Sequence, residues 1–273
     1  MHTALTEPMA VAPSIDRIQR LRRFMNAYWL RPENALWMAL RSQALSDINW
    51  ARRAVDLSCG DGVFSFLHAG GEFEDDFDVF TSVIPTNRLS HCDEHYQPAI
   101  VTPPQYTVDV GTDLKPNLLT KAGRLGLYEE LEVHDNNQPL PFETRSFQTV
   151  YCNSIYWVRN IDLFLAEMAR IAAPDGRILL EVKMDSVLRY TLESHRNILG
   201  DRFLDIVGRG RAGTWPSMGD QDQWESRFAK AGLAVSKATP FVTRTHAHIW
   251  DVGLRPIAPM LIELANNVTP KTR

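Results

Sequence analysis

A short apolar run followed by two closely spaced glycines constrains the fold of this chain more than any other feature. The run is Ala54–Leu57, the glycines are Gly60 and Gly62, and a second apolar run starts at Val63. Because glycine admits positive φ angles and carries no side chain, a ligand can lie against bare backbone at the start of the following helix. Strand, glycine loop and helix in this order are typical of the first turn of a nucleotide-binding α/β domain.

Strands and helices are predicted to alternate along most of the chain. The predicted strands are 106–110, 131–134, 149–152, 177–182 and 235–243, and the predicted helices are 116–126, 161–172 and 221–231. Residues 174–176 are predicted to form a turn. This alternation indicates a parallel sheet with helices on both faces.

Three segments are predicted to lie outside the sheet. Residues 1–50 predict an N-terminal helical cap, with helices near 14–30 and 33–45. Its aromatic residues either cover a ligand pocket or only pack against neighbouring side chains. Residues 71–105 contain four prolines and no sustained period, which indicates an irregular surface insertion into the 51–273 domain. Residues 184–220 predict a lid of helix and loop over the substrate.

Two histidines in the first insertion, His91 and His95, are four residues apart. They could share a metal ion on a helix, but no third ligand follows at a suitable spacing and the flanking sequence resembles a loop. We therefore predict no metal site.

Composition argues against several classes of protein. The chain has 273 residues, 44% of them hydrophobic, and a net charge of −4 without a basic stripe, which argues against a nucleic-acid partner. No apolar run approaches the length of a membrane span, and residues 1–13 lack a signal-peptide pattern. The three cysteines are far apart and favour free thiols in a reducing compartment. We therefore expect a cytoplasmic protein without a membrane partner.

Acidic residues near the ends of strands are the first candidate ligands. Asp56 lies near the end of the first strand, and its carboxylate is expected to face the same crevice as the glycine loop. Asp113 follows the next long strand, where an acid can hydrogen-bond the hydroxyls of a ribose. Asp109 is the weaker candidate for that role.

Several motifs in residues 53–183 resemble those of the class I S-adenosylmethionine-dependent methyltransferases that act on small molecules. Residues 56–62 are similar to the first cofactor motif of that family, with Ser58 in place of the first glycine. Residues 111–116 resemble the ribose motif, and Asp135-Asn136 followed by 140–142 resembles the adenine loop. Residues 153–158 and 167–176 resemble the family's segments after the fourth strand and before the fifth.

The resemblance implies a Rossmann-like, mostly parallel sheet of seven strands with helices on both faces and an antiparallel last strand. It implies S-adenosyl-L-methionine as cofactor, with the backbone of 58–62 near the methionine end, Asp113 on the ribose, and Asp135 with Asn136 near the adenine. The full set of implied cofactor-binding residues is Asp56, Ser58, Cys59, Gly60, Gly62, Asp113, Leu114, Asp135, Asn136 and Asn153. No clear final strand follows residue 243, so a degenerate strand and a fragment of a longer protein both stay open.

The expected function is methyl transfer to a small organic acceptor, with a hydroxyl group as the first choice and nitrogen or carbon left open. A hydroxyl acceptor benefits from a general base, and the candidates are Tyr156 and His195, followed by Tyr190, His246 and His248. One alternative is an NAD(P)-dependent oxidoreductase, although its expected acid comes only at Asp113, beyond a long insertion. The other alternative is a non-catalytic module that binds S-adenosylmethionine. The presence of Asp56, Asp113 and Asp135 argues against it.

Overall fold

A parallel sheet of five strands forms the centre of the protein. The computed structural model describes residues 17–48, 50–80, 96–208 and 215–267. The strands are β1 (Ala54–Leu57), β2 (Glu72–Phe73), β3 (Ile100–Thr102), β4 (Val108–Asp113), β5 (Tyr128–Val133), β6 (Phe147–Cys152) and β7 (Ala172–Leu180). The central sheet has the order β5-β4-β1-β6-β7, and all of its neighbours are parallel.

Helices connect and cover these strands. They are α1 (Arg17–Ala27), α2 (Pro32–Ala44), α3 (Val63–His68), α4 (Pro116–Ala122), α5 (Ile161–Ile171), α6 (Arg196–Leu199), α7 (Asp201–Gly208), α8 (Gln221–Lys230), α9 (Arg244–His248) and α10 (Ala258–Asn266). Short 3₁₀ helices include Ile155–Trp157, Asp185–Tyr190 and Leu192–His195, and a π-helix spans Ile249–Leu254.

The first strand, β1, is buried on both faces. Val55 and Leu57 belong to an apolar cluster with Phe164 of α5, whereas Ala54 belongs to a second cluster with Phe64 of α3. This arrangement follows from the two-residue period of a strand, which sends neighbouring side chains to opposite faces. The predicted parallel sheet with helical layers is confirmed.

The two N-terminal helices pack beside α3 and the segment that follows β2. Arg20 Nη1 of α1 donates to Ser42 Oγ of α2 at 2.7 Å. The Leu30 amide, between the helices, donates to Asp78 Oδ2 at 3.1 Å. Helices therefore lie in the predicted part of the chain, although Ser14, the predicted start of the first one, lies outside the described residues.

The first insertion contains some regular structure. Its ends form an antiparallel pair, β2 with β3, in which Phe73 is opposite Ile100. The two spaced histidines of the insertion, His91 and His95, lie outside the described residues. Within the described ranges, no group of three or more His, Cys, Asp or Glu side chains could hold a metal ion.

The prediction of seven strands in one sheet is wrong for the part of the chain that is described, where the sheet has five. Residues 233–243, which include the predicted sixth strand, carry neither strand nor helix. Val235 is 53% exposed there, and Lys237 pairs with Asp47 at 2.6 Å, so the segment does not add to the edge of β7. A strand forms only where a neighbour accepts its backbone hydrogen bonds.

Two smaller predictions also change. The predicted turn at 174–176 lies inside β7 as an irregularity, because Phe147 pairs with Ala172 whereas Thr149 pairs with Arg177. The first part of the predicted lid, residues 184–220, is a series of short helices between Asp185 and Leu199. No helix in the described ranges is long and apolar enough to span a membrane.

We expect Gly62→Ala to destabilise the fold more than Gly126→Ala. Both glycines have positive φ, +74° and +65°, so both variants lose free energy of unfolding through backbone strain. A Cβ at Gly62 would also lie 2.9 Å from the Tyr128 ring, whereas nothing lies within 4 Å of one at Gly126. Urea unfolding should show an extra loss of about 1–3 kcal/mol for Gly62→Ala. Equal losses would show that the close packing at Gly62 is unimportant.

Candidate functional site

The loop after β1 turns sharply through residues with positive φ angles. Ser58, Gly60 and Gly62 have φ of +62°, +63° and +74°. Gly62 is the N-cap residue of α3 and packs against Tyr128, but a Cβ at Gly60 would meet nothing within 4 Å. The two glycines therefore differ in purpose, since Gly62 allows close packing and Gly60 leaves bare backbone beside open space.

Asp113 ends β4 and meets this loop directly. Its Oδ2 accepts a hydrogen bond from the Gly60 amide at 3.1 Å, and its Oδ1 accepts one from the Lys115 amide at 2.9 Å. Burial raises the pKa of Asp113, and the backbone hydrogen bonds act in the opposite direction. The structure thus brings the predicted ribose acid to the glycine loop, while the next residue, Leu114, is 59% exposed.

The segment after β5 also joins the loop. Asn136 Nδ2 donates to Ser58 Oγ at 2.7 Å, and the Asn136 side chain is buried. Asp135 Oδ1 accepts from the backbone and side chain of Asn137 at 2.9 and 2.8 Å, which lowers the pKa of Asp135. Asn137 Oδ1 in turn accepts from the Arg159 amide at 2.8 Å, after β6. The ends of β1, β5 and β6 are therefore tied together.

These contacts lie at the carboxyl edge of the sheet, which we define as the edge where β1, β4, β5, β6 and β7 end. Cys59 lies in the loop as a buried free thiol whose pKa is raised by burial, and Asn153 is half-buried directly after β6. The strand order reverses beside β1, and ligands of open parallel sheets bind in the crevice at such a point.

Asp56 does not face an open crevice, so that expectation is wrong. The side chain is fully buried, and its Oδ2 accepts hydrogen bonds from Ser65 Oγ at 2.6 Å and Tyr128 Oη at 2.7 Å. Burial raises the pKa of Asp56 to about 6 despite these hydrogen bonds. The Tyr128 ring covers Gly111, where a Cβ would lie 2.8 Å from it. Asp56 thereby ties β1 to α3 and β5.

Glu181, which directly follows β7, is a residue that the sequence interpretation missed. Its Oε1 accepts from Trp37 Nε1 at 3.0 Å, and its Oε2 accepts from Arg41 Nε. Both partners belong to α2, so one carboxylate fastens the N-terminal helices to the carboxyl edge. The sequence contains a signal for this role, because Glu181 is an acid at the end of a strand, as Asp113 is at the end of β4.

An aromatic cluster lies beside Glu181. Tyr156, Trp215 and Trp250 are buried there, and Trp37 packs against them, with its ring centroid 4.8 Å from that of Trp250. The Lys183 ammonium lies over three of these rings. Only tertiary structure could reveal this cluster, because its members are spread from residue 37 to residue 250.

The structure separates the candidate bases. Tyr156 is 8% exposed within the aromatic cluster, whereas His195 is exposed at the end of a 3₁₀ helix. Tyr190 and His248 contact each other, with ring centroids 6.5 Å apart, and the His246 side chain takes part in the cap of α9. Of these five residues, Tyr156 alone belongs to the cluster.

A comparison with protein families connects this geometry to an activity. Residues 103–180, which contain β4 to β7 and the residues Asp113, Asp135 and Asn136, match a family model described as a methyltransferase domain. The match covers four of the five strands of the central sheet, whereas β1 and the glycine loop lie outside it. Residues 103–180 of the chain are therefore similar to a methyltransferase domain, the class of domain that the sequence motifs predict.

Comparison with functionally curated proteins found no match. Among solved structures, the YcgJ protein of Bacillus subtilis is 17% identical, with a TM-score of 0.40, 81% of this chain covered and 80% of that chain. A methyltransferase of Thermotoga maritima, described as a possible histamine N-methyltransferase, is 14% identical, with a TM-score of 0.45 and coverages of 80% and 81%. Geranyl diphosphate methyltransferase, in complex with S-adenosylmethionine, is 14% identical, with a TM-score of 0.42 and coverages of 78% and 72%. These similarities are too distant to identify an acceptor.

The residues at the carboxyl edge fit the cofactor. Gly60 offers bare backbone beside open space. The buried oxygens that have no hydrogen-bond partner within the described chain include Asp61 Oδ2 and Asn136 Oδ1. S-adenosylmethionine carries an ammonium group and an adenine amino group. Both can donate hydrogen bonds to such oxygens.

We expect stability to depend on pH through Asp56. Its pKa is 3.8 ordinarily and about 6 in the folded chain, so the folded state binds the proton more tightly. Ionisation of Asp56 therefore costs stability as pH rises, by about 3 kcal/mol once the pH exceeds both values. Between pH 4.5 and 7.5, the wild type should lose about 2 kcal/mol of unfolding free energy relative to Asp56→Asn in urea titrations. Parallel pH profiles for the two proteins would contradict this assignment.

Proposed function

We propose that this chain is an S-adenosylmethionine-dependent methyltransferase that acts on a hydroxyl group of a small organic acceptor. One observation carries the proposal, namely that the glycine loop with Asp113 and an enclosed aromatic cluster with Tyr156 both lie at the carboxyl edge of one sheet. Apolar surfaces with a few polar groups are typical of sites for small molecules. The net charge of −4 supports a small molecule rather than a nucleic acid as acceptor.

The cofactor is proposed to bind along the ends of β1, β4 and β5. The backbone from Ser58 to Gly62 would lie against the methionine end, and Asp113 would hydrogen-bond the ribose. Asp135 and Asn136 would lie near the adenine. The rest of the proposed lining is Cys59, Leu114 and Asn153. Asp56 supports the loop from beneath, through Ser65 and Tyr128.

S-adenosylmethionine supplies an electrophilic methyl group on a positively charged sulfur when bound. The chain has to hold the acceptor oxygen in line with that methyl group and to exclude water, and such positioning supplies about 7–11 kcal/mol in well-oriented reactions. Tyr156 is proposed, in its phenolate form, as the group that takes up the hydroxyl proton and becomes a phenol, because it is the buried candidate base beside the edge. His195 is the second candidate, and its exposure makes it less suited.

Residues 184–220 are proposed to cover the acceptor. The two ends of this segment meet, since the Asp185 amide donates to the Gly219 carbonyl at 3.0 Å and Met184 bridges Gly219. Ser217 Oγ donates to the carbonyl of Val158, close to Tyr156. The segment therefore leaves the sheet and returns to it next to the aromatic cluster, as a covering loop requires.

The first test is cofactor binding by calorimetry. Asp113→Ala should weaken S-adenosylhomocysteine binding at least tenfold, because the ribose loses a carboxylate and the Gly60 amide loses its acceptor. Asp162→Ala, an exposed change on α5, should leave the affinity unchanged. Tight binding of NADH without binding of S-adenosylhomocysteine would refute the proposed cofactor site.

The second test is transfer of a labelled methyl group to a panel of phenols, alcohols and amines. We expect label on a hydroxyl compound, and we expect Tyr156→Phe to lower kcat at least tenfold, because the phenolic oxygen is lost while the ring remains. His195→Ala should retain most of the activity, since the side chain is exposed. Label on amines alone would refute the hydroxyl acceptor, and an active Tyr156→Phe enzyme would refute the base.

A further inference from the structure

Three aromatic rings surround the ammonium group of Lys183. Its Nζ lies 4.1 Å from the ring centroid of Trp37, 4.1 Å from that of Tyr156 and 4.6 Å from that of Trp215. The rings come from α2, from the 3₁₀ helix after β6 and from the return of the covering segment. We call these three rings the ammonium cage.

The cage attracts positive charge. The faces of aromatic rings carry partial negative charge, so they stabilise a cation placed over them. Glu181 adds a full negative charge, with its Oε1 3.9 Å from Lys183 Nζ. Lys183 is 6% exposed, although lysine is almost never buried unless its charge is compensated. The three rings and Glu181 together compensate the buried ammonium charge.

The cage is held together by contacts that do not involve the Lys183 ammonium. Glu181 is bonded to Trp37 and Arg41 of α2, and the ring of Tyr156 meets that of Trp215 edge to face at 6.1 Å. The main chain of Lys183 is fixed separately, because its carbonyl accepts from Trp224 Nε1 at 3.2 Å. The walls of the cage and the main chain of Lys183 are therefore held by contacts other than those of its ammonium group.

A different ammonium group can replace that of lysine. A primary ammonium is compact and strongly hydrated, and the long lysine stem allows it to return to water. An alkylated ammonium is less strongly hydrated and loses less on entering an aromatic site, and aromatic cages are known to recognise such groups. Exchange therefore favours a tertiary or quaternary ammonium.

We propose that the ammonium cage binds an alkylated ammonium group of the acceptor, and that Lys183 occupies the cage when no acceptor is bound. The part of this inference that identifies the ligand as the acceptor rests on the proposed function. It narrows the substrate class to small hydroxyl compounds that also carry such a cationic group. The cage then anchors the acceptor by its charge and leaves its hydroxyl group free to react.

Choline and its uncharged isostere 3,3-dimethyl-1-butanol are the probes that test this site. We expect the wild-type protein, saturated with S-adenosylhomocysteine and at constant ionic strength, to bind choline at least tenfold more tightly than the isostere in calorimetric titrations. Equal affinities, or no binding of choline, would overturn the proposal. The same titrations are repeated without S-adenosylhomocysteine, so that choline binding is also measured independently of the cofactor site.

Matched variants locate the binding. Tyr156→Leu should weaken choline binding at least tenfold, whereas Tyr156→Phe, which keeps the ring, should bind choline as the wild type does. Unchanged affinity for S-adenosylhomocysteine would show that both variants are folded. Equal choline binding by the two variants would overturn the assignment to the cage.

Lys183→Ala distinguishes an exchangeable occupant from a permanent one. Its removal should strengthen choline binding several-fold, because the competing ammonium is gone. Choline binding by Lys183→Ala but not by the wild type would overturn the proposal, since Lys183 would then be a fixed part of the wall. If the wild type does not bind S-adenosylhomocysteine, the proposed cofactor site is refuted. The choline result remains valid in that case.

Discussion

The pairing of β1 with both β4 and β6 is the constraint on which the rest of the structure depends. Val55 is opposite Val110 on one side and Val150 on the other, so the chain must leave the middle of a parallel sheet at Leu57. No neighbouring strand can cover that exit, which is why a crevice forms there. The tight loop that follows, the Asp113 contact and the direction of α3 are consequences of this exit.

Two buried carboxylates hold the edges of the crevice, and they act in different ways. Asp56 binds hydroxyl groups of Ser65 and Tyr128, so an acid that looks like a ligand in the sequence is part of the support beneath the loop. Glu181 binds Trp37 and Arg41 and thereby brings α2 to the end of β7. A buried charge is tolerated only where donors compensate it, so each carboxylate also specifies which elements must meet.

The glycine loop and the acid that meets it could be predicted because their signals are local. Gly60, Gly62 and Asp113 each follow a strand within a few residues, and a parallel sheet brings all strand ends to one edge. The role of Asp56 could not be predicted, because its partner Tyr128 is 72 residues away. The prediction of a sixth and a seventh strand was wrong for a related reason. The sequence pattern near Val235 resembles a strand, but no neighbouring strand lies beside it in the described structure.

By itself, the sequence determined the alternation of strands and helices, the glycine loop and the resemblance to methyltransferases. Each of these follows from residues close together in the chain, where backbone preferences and side-chain period act directly. Only the tertiary structure decided that Asp56 is covered, that Glu181 anchors α2 and that the rings of Trp37, Tyr156 and Trp215 surround Lys183. These features need contacts between residues up to 178 positions apart, since Trp37 and Trp215 share one cation. Packing across such distances, rather than any local pattern, shapes the acceptor side.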